Sequence, residues 1–234
     1  MKPNSQVSLV NMSNGISIFG QAAEITKQVL EAPRNSTTKK SLERALGRRV
    51  DNEAFEDVFK LVAGQLRSQI EQSSAEVQRG KAQLQTEVKN ARAKNVMIFK
   101  AAGNDQTQAS LTGEPSDVKM IDTVDGMILI GAIALGKSPL DRRDDETALF
   151  SVQGPTLGTV GVRVPLEGGD REGTSYAAPL ALSAAALMVA ANPKITPDQL
   201  EKILKDTSRP VKRGLNEIDI VAAQSAARLA AESR

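Results

Sequence analysis

The chain has 234 residues, with 30 basic and 28 acidic side chains and a net charge of +2, so bulk charge implies no acidic partner. An apolar fraction of 40% with 25% charged residues suits one large globular domain, or one domain carrying an inserted element. There is no cysteine, which excludes disulfide frameworks and thiolate metal sites. There is also no histidine, which removes the usual proton acceptor of nucleophilic catalysis.

Residues 1–5 lead straight into a strand-like run at 7–12, without the apolar core of a signal peptide. Ser13-Asn14-Gly15 ends that strand. From about residue 21 to 95 the chain becomes charged, alanine-rich and helical. Phe55, Phe59, Val62, Leu66 and Ile70 keep three-to-four spacing, and Val77, Leu84, Val88 and Ala91 resume it. Gln72-Ser73-Ser74 and Gly80 are the expected bends. The stripe reads as an ordinary packing face, with a partner-binding or coiled-coil face as the alternative. The basic pairs Lys39-Lys40 and Arg48-Arg49 read as solvated helix surface. With aromatic residues at 3%, no nucleic-acid partner is expected.

A second strand is expected from residue 95 to 99, running into Ala101-Ala102-Gly103-Asn104. A third is expected over 126–134, apolar throughout and so buried on both faces. Residues 137–146 read as a charged loop. Thr174 then opens a helix that is hydrophobic all round up to Ala191, as a helix inside a domain should be. Its run at 177–191 is interrupted by Pro179 and Ser183 and is too short to cross a bilayer, so a soluble chain with no membrane partner is expected. Asn192-Pro193 breaks it. Thr196, Pro197 and Gln199 supply a capping box for a following helix that buries Leu200, Ile203 and Leu204. Strands alternating with helices predict an α/β domain with a mainly parallel sheet.

Three motifs carry chemistry. Gly131 to Ser138 matches G-x-x-x-x-G-K-[ST], but four apolar residues continue the strand and Pro139 with a charged run follows, so a phosphate loop is not expected. The cluster Asp141, Asp144, Asp145 and Glu146 is interleaved with Arg142 and Arg143. A solvated loop is the reading, with a structural calcium ion as the minor one, and no cofactor is expected. Ser175 sits where a loop meets a helix N-terminus, so backbone N–H groups and the helix dipole face charge developing at its oxygen. Gly173 allows the tight turn, and Pro179 is placed in the first turn, where its missing N–H costs little. On these residues alone a simple N-cap remains open beside a nucleophile.

The stretch Gly173-Thr174-Ser175-Tyr176-Ala177-Ala178-Pro179 resembles the G-T-S-x-A-x-P nucleophile motif of subtilisin-like serine proteases. Asn11-Met12-Ser13-Asn14-Gly15 is similar to the family's substrate-lining strand, and Ala101-Ala102-Gly103-Asn104 to its A-A-G-N motif. Phe150-Ser151 with Gly154-Pro155 resembles its F-S-x-x-G-P loop. Thr196-Pro197 and the helix behind them resemble its post-nucleophile helix, and residues 214–223 its closing segment, loosely. The resemblance implies a subtilisin-like three-layer sandwich, N-terminally incomplete. Residues 1–20 and 82–234 would form the catalytic domain and 21–81 a helical insertion. It implies Ser175 as nucleophile and Asn104 as oxyanion donor beside the Ser175 N–H. Ser13, Asn14, Gly15, Ala102 and Gly103 would bind an extended peptide or protein substrate.

Departures from the pattern are equally informative. The family's catalytic aspartate and histidine lie N-terminal to the substrate strand, in a portion this sequence does not contain. Leu180 stands where a histidine is usual in a packing position, and Val164-Pro165-Leu166-Glu167 where A-P-G is typical. The expectation is an endopeptidase fragment, inactive alone, that associates with a missing N-terminal half or with itself. The alternative is a pseudoprotease that binds peptides or proteins through the retained cleft and the helical insertion. A nucleotide-binding protein is the third and weakest reading.

Overall fold

The computed structural model describes residues 6–13, 18–111, 123–137, 142–152, 154–155 and 157–232. Strand β1 (Ser8–Met12) is followed by helices α1 (Ile18–Glu31), α2 (Thr37–Leu46), α3 (Phe55–Gln72) and α4 (Ser74–Ala93). Then come β2 (Val96–Ala101), α5 (Gln106–Leu111), β3 (Met127–Ala134), β4 (Glu146–Thr147), β5 (Leu157–Val160) and the hairpin β6 (Val164–Leu166) and β7 (Gly169–Arg171). Helices α6 (Thr174–Ala191) and α7 (Pro197–Asp206), strands β8 (Arg209–Pro210) and β9 (Asn216–Glu217), and α8 (Ile220–Glu232) complete the order.

The sheet runs β1-β2-β3-β5-β9-β8, with β4 beside the end of β3. Strands β1, β2, β3, β5 and β9 are parallel, while β4 and β8 pair antiparallel. Every second residue of β2 and β3 (Met97, Phe99, Ala101; Ile128, Ile130, Ala132) enters one core with α6, α7 and α8. Val88 of α4 is buried outside that core while α4 lies against β2, so helices cover both faces of the sheet. This is the mixed α/β, mainly parallel architecture expected from the sequence.

Helices α1 to α3 build a second core of their own around Val58, Phe59, Val62, Phe19 and Ala22. Phe55 stacks on Phe59 with ring centroids 6.0 Å apart, which adds aromatic contact to the burial. Ser36 caps α2 by accepting from the Lys39 N–H, and Gly47 closes it in the left-handed conformation. The chain breaks at Ser73, as the sequence indicates. Gly80 does not break it: α4 runs through that position, because a single exposed glycine costs only about 1 kcal/mol in a helix that is packed and tied elsewhere. One tie is Arg92, which reaches Asp198 at 2.8 Å and Glu201 of α7.

Further expectations change: Lys39 is buried and Arg48-Arg49 follow α2 outside the helix, so neither basic pair is simply solvated helix surface. The acidic run is not simply a solvated loop. Asp141 lies outside the described residues, but the Asp145 side chain is fully buried. Its carboxylate accepts from the Gly136 N–H at 2.8 Å and pairs with Arg142 and Arg209, each at 2.6 Å. Both guanidiniums also pair with Glu217, so the interleaved arginines neutralise the acids from inside the fold. The Gly136 N–H, which a phosphate loop would offer to its ligand, is thereby occupied, and residues 131–134 are strand.

Helix α6 is also less enclosed than expected. Ala177, Ala178, Ala181, Ala185 and Met188 are fully buried, but Leu180 and Leu187 are 37% and 43% exposed. With 18 residues, α6 is long and apolar enough to cross a membrane by length and composition, which exceeds the expectation from the sequence. It is the helix on which β1, β2, β3 and β5 pack, and its buried alanine face is core.

Candidate active site

Strands β1 and β2 deliver their carboxyl ends side by side, Met12 opposite Lys100. Ser13 follows one strand, and Gly103 and Asn104 follow the other. The N-terminus of α6 meets them there, at the edge where open parallel sheets place their sites.

Gly173 is the pivot. Its φ of 148° is reached without strain only by glycine. Its N–H donates to the Gly161 carbonyl at 2.8 Å, which anchors the turn to the end of β5. Gly161 has to be small as well, because a Cβ there would lie 2.5 Å from that of Ala132. A Cβ on Gly173 would sit 3.1 Å from Ser175 Oγ and 3.2 Å from Asn104 Nδ2. The hydroxyl and the amide therefore converge on the small space above Gly173.

Asn104 is oriented by Thr174. Its Oδ1 accepts from the Thr174 N–H at 2.8 Å and from the Thr174 hydroxyl at 2.9 Å. Asn104 thus acts as a remote cap for α6, whose own N-cap, Gly173, has no side chain to offer. With Oδ1 engaged, the Nδ2 donor is the half of the amide left facing Ser175. Thr174 also accepts from the Gly103 N–H at 3.1 Å, and the Gly103 carbonyl accepts from Val152 at 3.2 Å. The 150–155 loop thus buttresses the Asn104 turn from behind, helped by Gln106 N–H donating to the Phe150 carbonyl.

Ser175 is half-buried and second in the helix, within the turn whose N–H groups have no intrahelical acceptor. Its carbonyl accepts from the Ser13 hydroxyl at 3.1 Å, and Ser13 Oγ accepts in turn from Asn11 Nδ2 at 2.7 Å. Pro179 accounts for this contact. It is the sixth residue of α6, not part of the first turn, so it withholds the N–H that Ser175 O would otherwise receive. Ser13 supplies the replacement donor. Two residues before the proline, the Ala177 carbonyl accepts from the Thr159 hydroxyl at 2.7 Å, which ties α6 to β5.

Of the site residues expected from the sequence, Ser13, Ala102, Gly103, Asn104 and Ser175 are brought to one end of the sheet. Asn14 and Gly15 lie outside the described residues. Ala102 is buried, with its N–H on the Ile130 carbonyl, so it is a wall and not a surface. Thr174 and Thr159 brace the turn through their hydroxyls, roles that the sequence reading does not single out. Thr174 lies inside the nucleophile motif and was legible there. Thr159 carries no signal, being one threonine in a short strand. Val164 to Arg171 form an exposed hairpin just before the turn that carries Ser175, where the sequence departs from A-P-G.

Among the described residues, no group of three or more histidine, cysteine, aspartate or glutamate side chains could hold a metal ion. The family model for the subtilase family, Peptidase_S8, matches residues 4–224. Similar solved structures include the proteases from Pseudoalteromonas arctica PAMC 21717, at 25% identity over 61% of this chain and 46% of that one, with a TM-score of 0.46. Fervidolysin from Fervidobacterium pennivorans, a keratinolytic enzyme related to subtilisin, is 21% identical over 58% of this chain and 23% of that one, with a TM-score of 0.42. A cold adapted subtilisin-like serine proteinase is 18% identical over 91% of this chain and 55% of that one, with a TM-score of 0.42. The chain thus spans between 23% and 55% of the length of these structures. No curated protein matches.

Proposed function

Because the chain belongs to the subtilase family, we propose that it carries the nucleophile and oxyanion half of a serine endopeptidase centre. The convergence of Ser175 Oγ and Asn104 Nδ2 above Gly173 carries this reading. Ser175 Oγ attacks a peptide carbonyl, and its proton passes to a base. The tetrahedral oxyanion is met by Asn104 Nδ2 and the Ser175 N–H. Expulsion of the protonated amine leaves an acyl-enzyme that water hydrolyses, which returns the hydroxyl. An extended substrate lies along Ser13-Asn14-Gly15 and past Gly103, with the buried Ala102 as the wall behind it.

The base has to come from elsewhere, because the sequence has no histidine. In subtilisin, the family's own reference case, loss of that residue costs about 10⁶-fold in turnover. The chain alone is therefore inactive as a protease. Among the described residues, strand β1 is paired on one side only, and Leu180 and Leu187 are partly exposed on α6. An unpaired edge beside uncovered apolar surface suits an added strand and helix, from an N-terminal half bearing aspartate and histidine or from a second copy. The helical segment α1–α3, with its own core, is read as an insertion in the catalytic domain.

A fluorophosphonate probe tests the assignment. The chain alone is expected to remain unlabelled, and labelling at the rate of a complete subtilase would overturn its inactivity. Upstream coding sequence with D-[ST]-G and H-G-T patterns, whose product restores labelling of Ser175, supports the fragment. The second reading, a peptide-binding pseudoprotease, is favoured by the missing histidine. Saturable peptide binding with no labelling in any combination would select it.

A further inference from the structure

We propose that the helical segment holds a second site, a pocket for a small polyanion bearing phosphate or several carboxylate groups. A cavity of about 660 Å³ opens where the end of α1, helix α2 and the turn before α3 meet. That volume is in the range of small-molecule sites, roughly 300–1,000 Å³. Its cationic lining is Arg34, Lys39 and Arg49.

Lys39 is only 7% exposed. Its ammonium donates to the carbonyls of Leu30 at 2.9 Å and Ala32 at 3.5 Å, at the partly negative end of α1. An ammonium has three N–H groups, so these two acceptors, one of them at the limit of hydrogen-bond distance, leave donor capacity in the pocket. Arg34 and Arg49 are exposed and have no hydrogen-bond or ion-pair partner among the described residues.

Three acids also line the pocket, two of them bonded to backbone. Glu43 accepts from the Val50 N–H at 3.3 Å and Asp51 from the Glu53 N–H at 3.1 Å, while Glu53 makes no side-chain hydrogen bond among the described residues. The lining balances its three cations against Glu43, Asp51 and Glu53, so the attraction for an anion rests on the two exposed guanidinium forks and the buried ammonium and not on net charge. Guanidinium forks match phosphate and carboxylate oxygens in pairs, and two of them beside a buried ammonium outnumber what a single monoanion can use. The lining contains no aromatic ring for base stacking, which favours a compact anion over a nucleic-acid strand.

Calorimetric titration of the 234-residue chain at low ionic strength, with inorganic pyrophosphate and separately with citrate, tests the pocket. One-to-one saturable binding of at least one anion is expected. It should weaken by roughly tenfold or more when both forks are removed in the Arg34→Gln, Arg49→Gln double variant. A control double variant, Lys40→Gln with Arg44→Gln, removes equal charge from α2 outside the pocket and is expected to bind as the parent does. A preference for pyrophosphate assigns phosphorylated ligands, and a preference for citrate assigns carboxylates. Absence of saturable binding by both anions, or equal loss in the two double variants, overturns the proposal. The replaced arginines are exposed, and circular dichroism of each variant separates loss of the site from loss of the fold.

Discussion

The hydroxyl of Ser13 donates to the carbonyl oxygen of Ser175 at 3.1 Å, joining positions 162 apart in the chain. The contact repairs a gap made by Pro179, which cannot donate to that carbonyl from the next turn of α6. It also fixes the end of β1 to the turn that presents the proposed nucleophile. Ser13→Ala is expected to lower stability by about 1 kcal/mol. Ser13→Thr retains the donor and should fall closer to the parent in urea denaturation. An alanine variant as stable as the parent would show the contact to be incidental.

Gly173→Ala is expected to be worse than its size suggests. The φ of 148° strains any side chain, at about 1–3 kcal/mol, and the added methyl would press on both Ser175 Oγ and Asn104 Nδ2. Thermal unfolding should report the strain. If Ser175 labelling can be restored by a companion segment, this variant should lose it.

Thr174 joins three parts of the site through one hydroxyl. Thr174→Val removes the acceptor of the Gly103 N–H and a donor to Asn104 Oδ1 at a position 1% exposed. Such a loss costs about 1–3 kcal/mol. Thr174→Ser keeps both bonds and should recover most of it. The amide resonances of the Asn104 side chain provide a second readout: they should broaden or shift in the valine variant and hold in the serine variant.

The Asp145 network makes stability depend on acid. Burial alone would push its carboxyl up, but the Gly136 N–H and the Arg142 and Arg209 guanidiniums outweigh that and hold it below the ordinary aspartate value of 3.8. A carboxyl held low in the folded state contributes stability that is complete above its unfolded value and is lost as pH falls through the folded one. Asp145→Asn is therefore expected to cost about 3 kcal/mol near neutrality, with the difference from the parent shrinking as pH falls below about 4. Parallel stability curves for the two proteins down to about pH 2 would rule the network out as the cause.

Much of this was legible in one dimension. The capping box at Thr196 and Gln199 forms as written, because its hydrogen bonds close within four residues. The buried strand β3 follows from an unbroken apolar run, and the bounds of α6 from the turn at Gly173 and the break at Asn192-Pro193. The Gly80 bend does not, because α4 takes its support from Arg92 and from Val88 against the sheet, which local propensity does not record. Asp145 escapes a local reading for a similar reason. Its partner Arg209, and the Glu217 that shares both arginines with it, are more than sixty residues downstream, and a carboxylate beside two arginines looks solvated until the chain returns to bury it.

Spacing, caps and breakers act over a few residues, so local sequence was enough to place β1 to β3, α6 and α7 and the family motifs they carry, but not the short strands β4 to β9. The absence of histidine likewise settles, without any structure, that no imidazole base is available within this chain. Folding alone turns the Asn104 amide toward Ser175, brings Ser13 to supply the donor that Pro179 withholds, and sets Arg34 and Arg49 around one cavity with a buried lysine. The first two relationships join residues far apart in the chain, and the third joins two helices and the turns that follow them. Packing against a common sheet or helix core is what brings such groups within reach of one another.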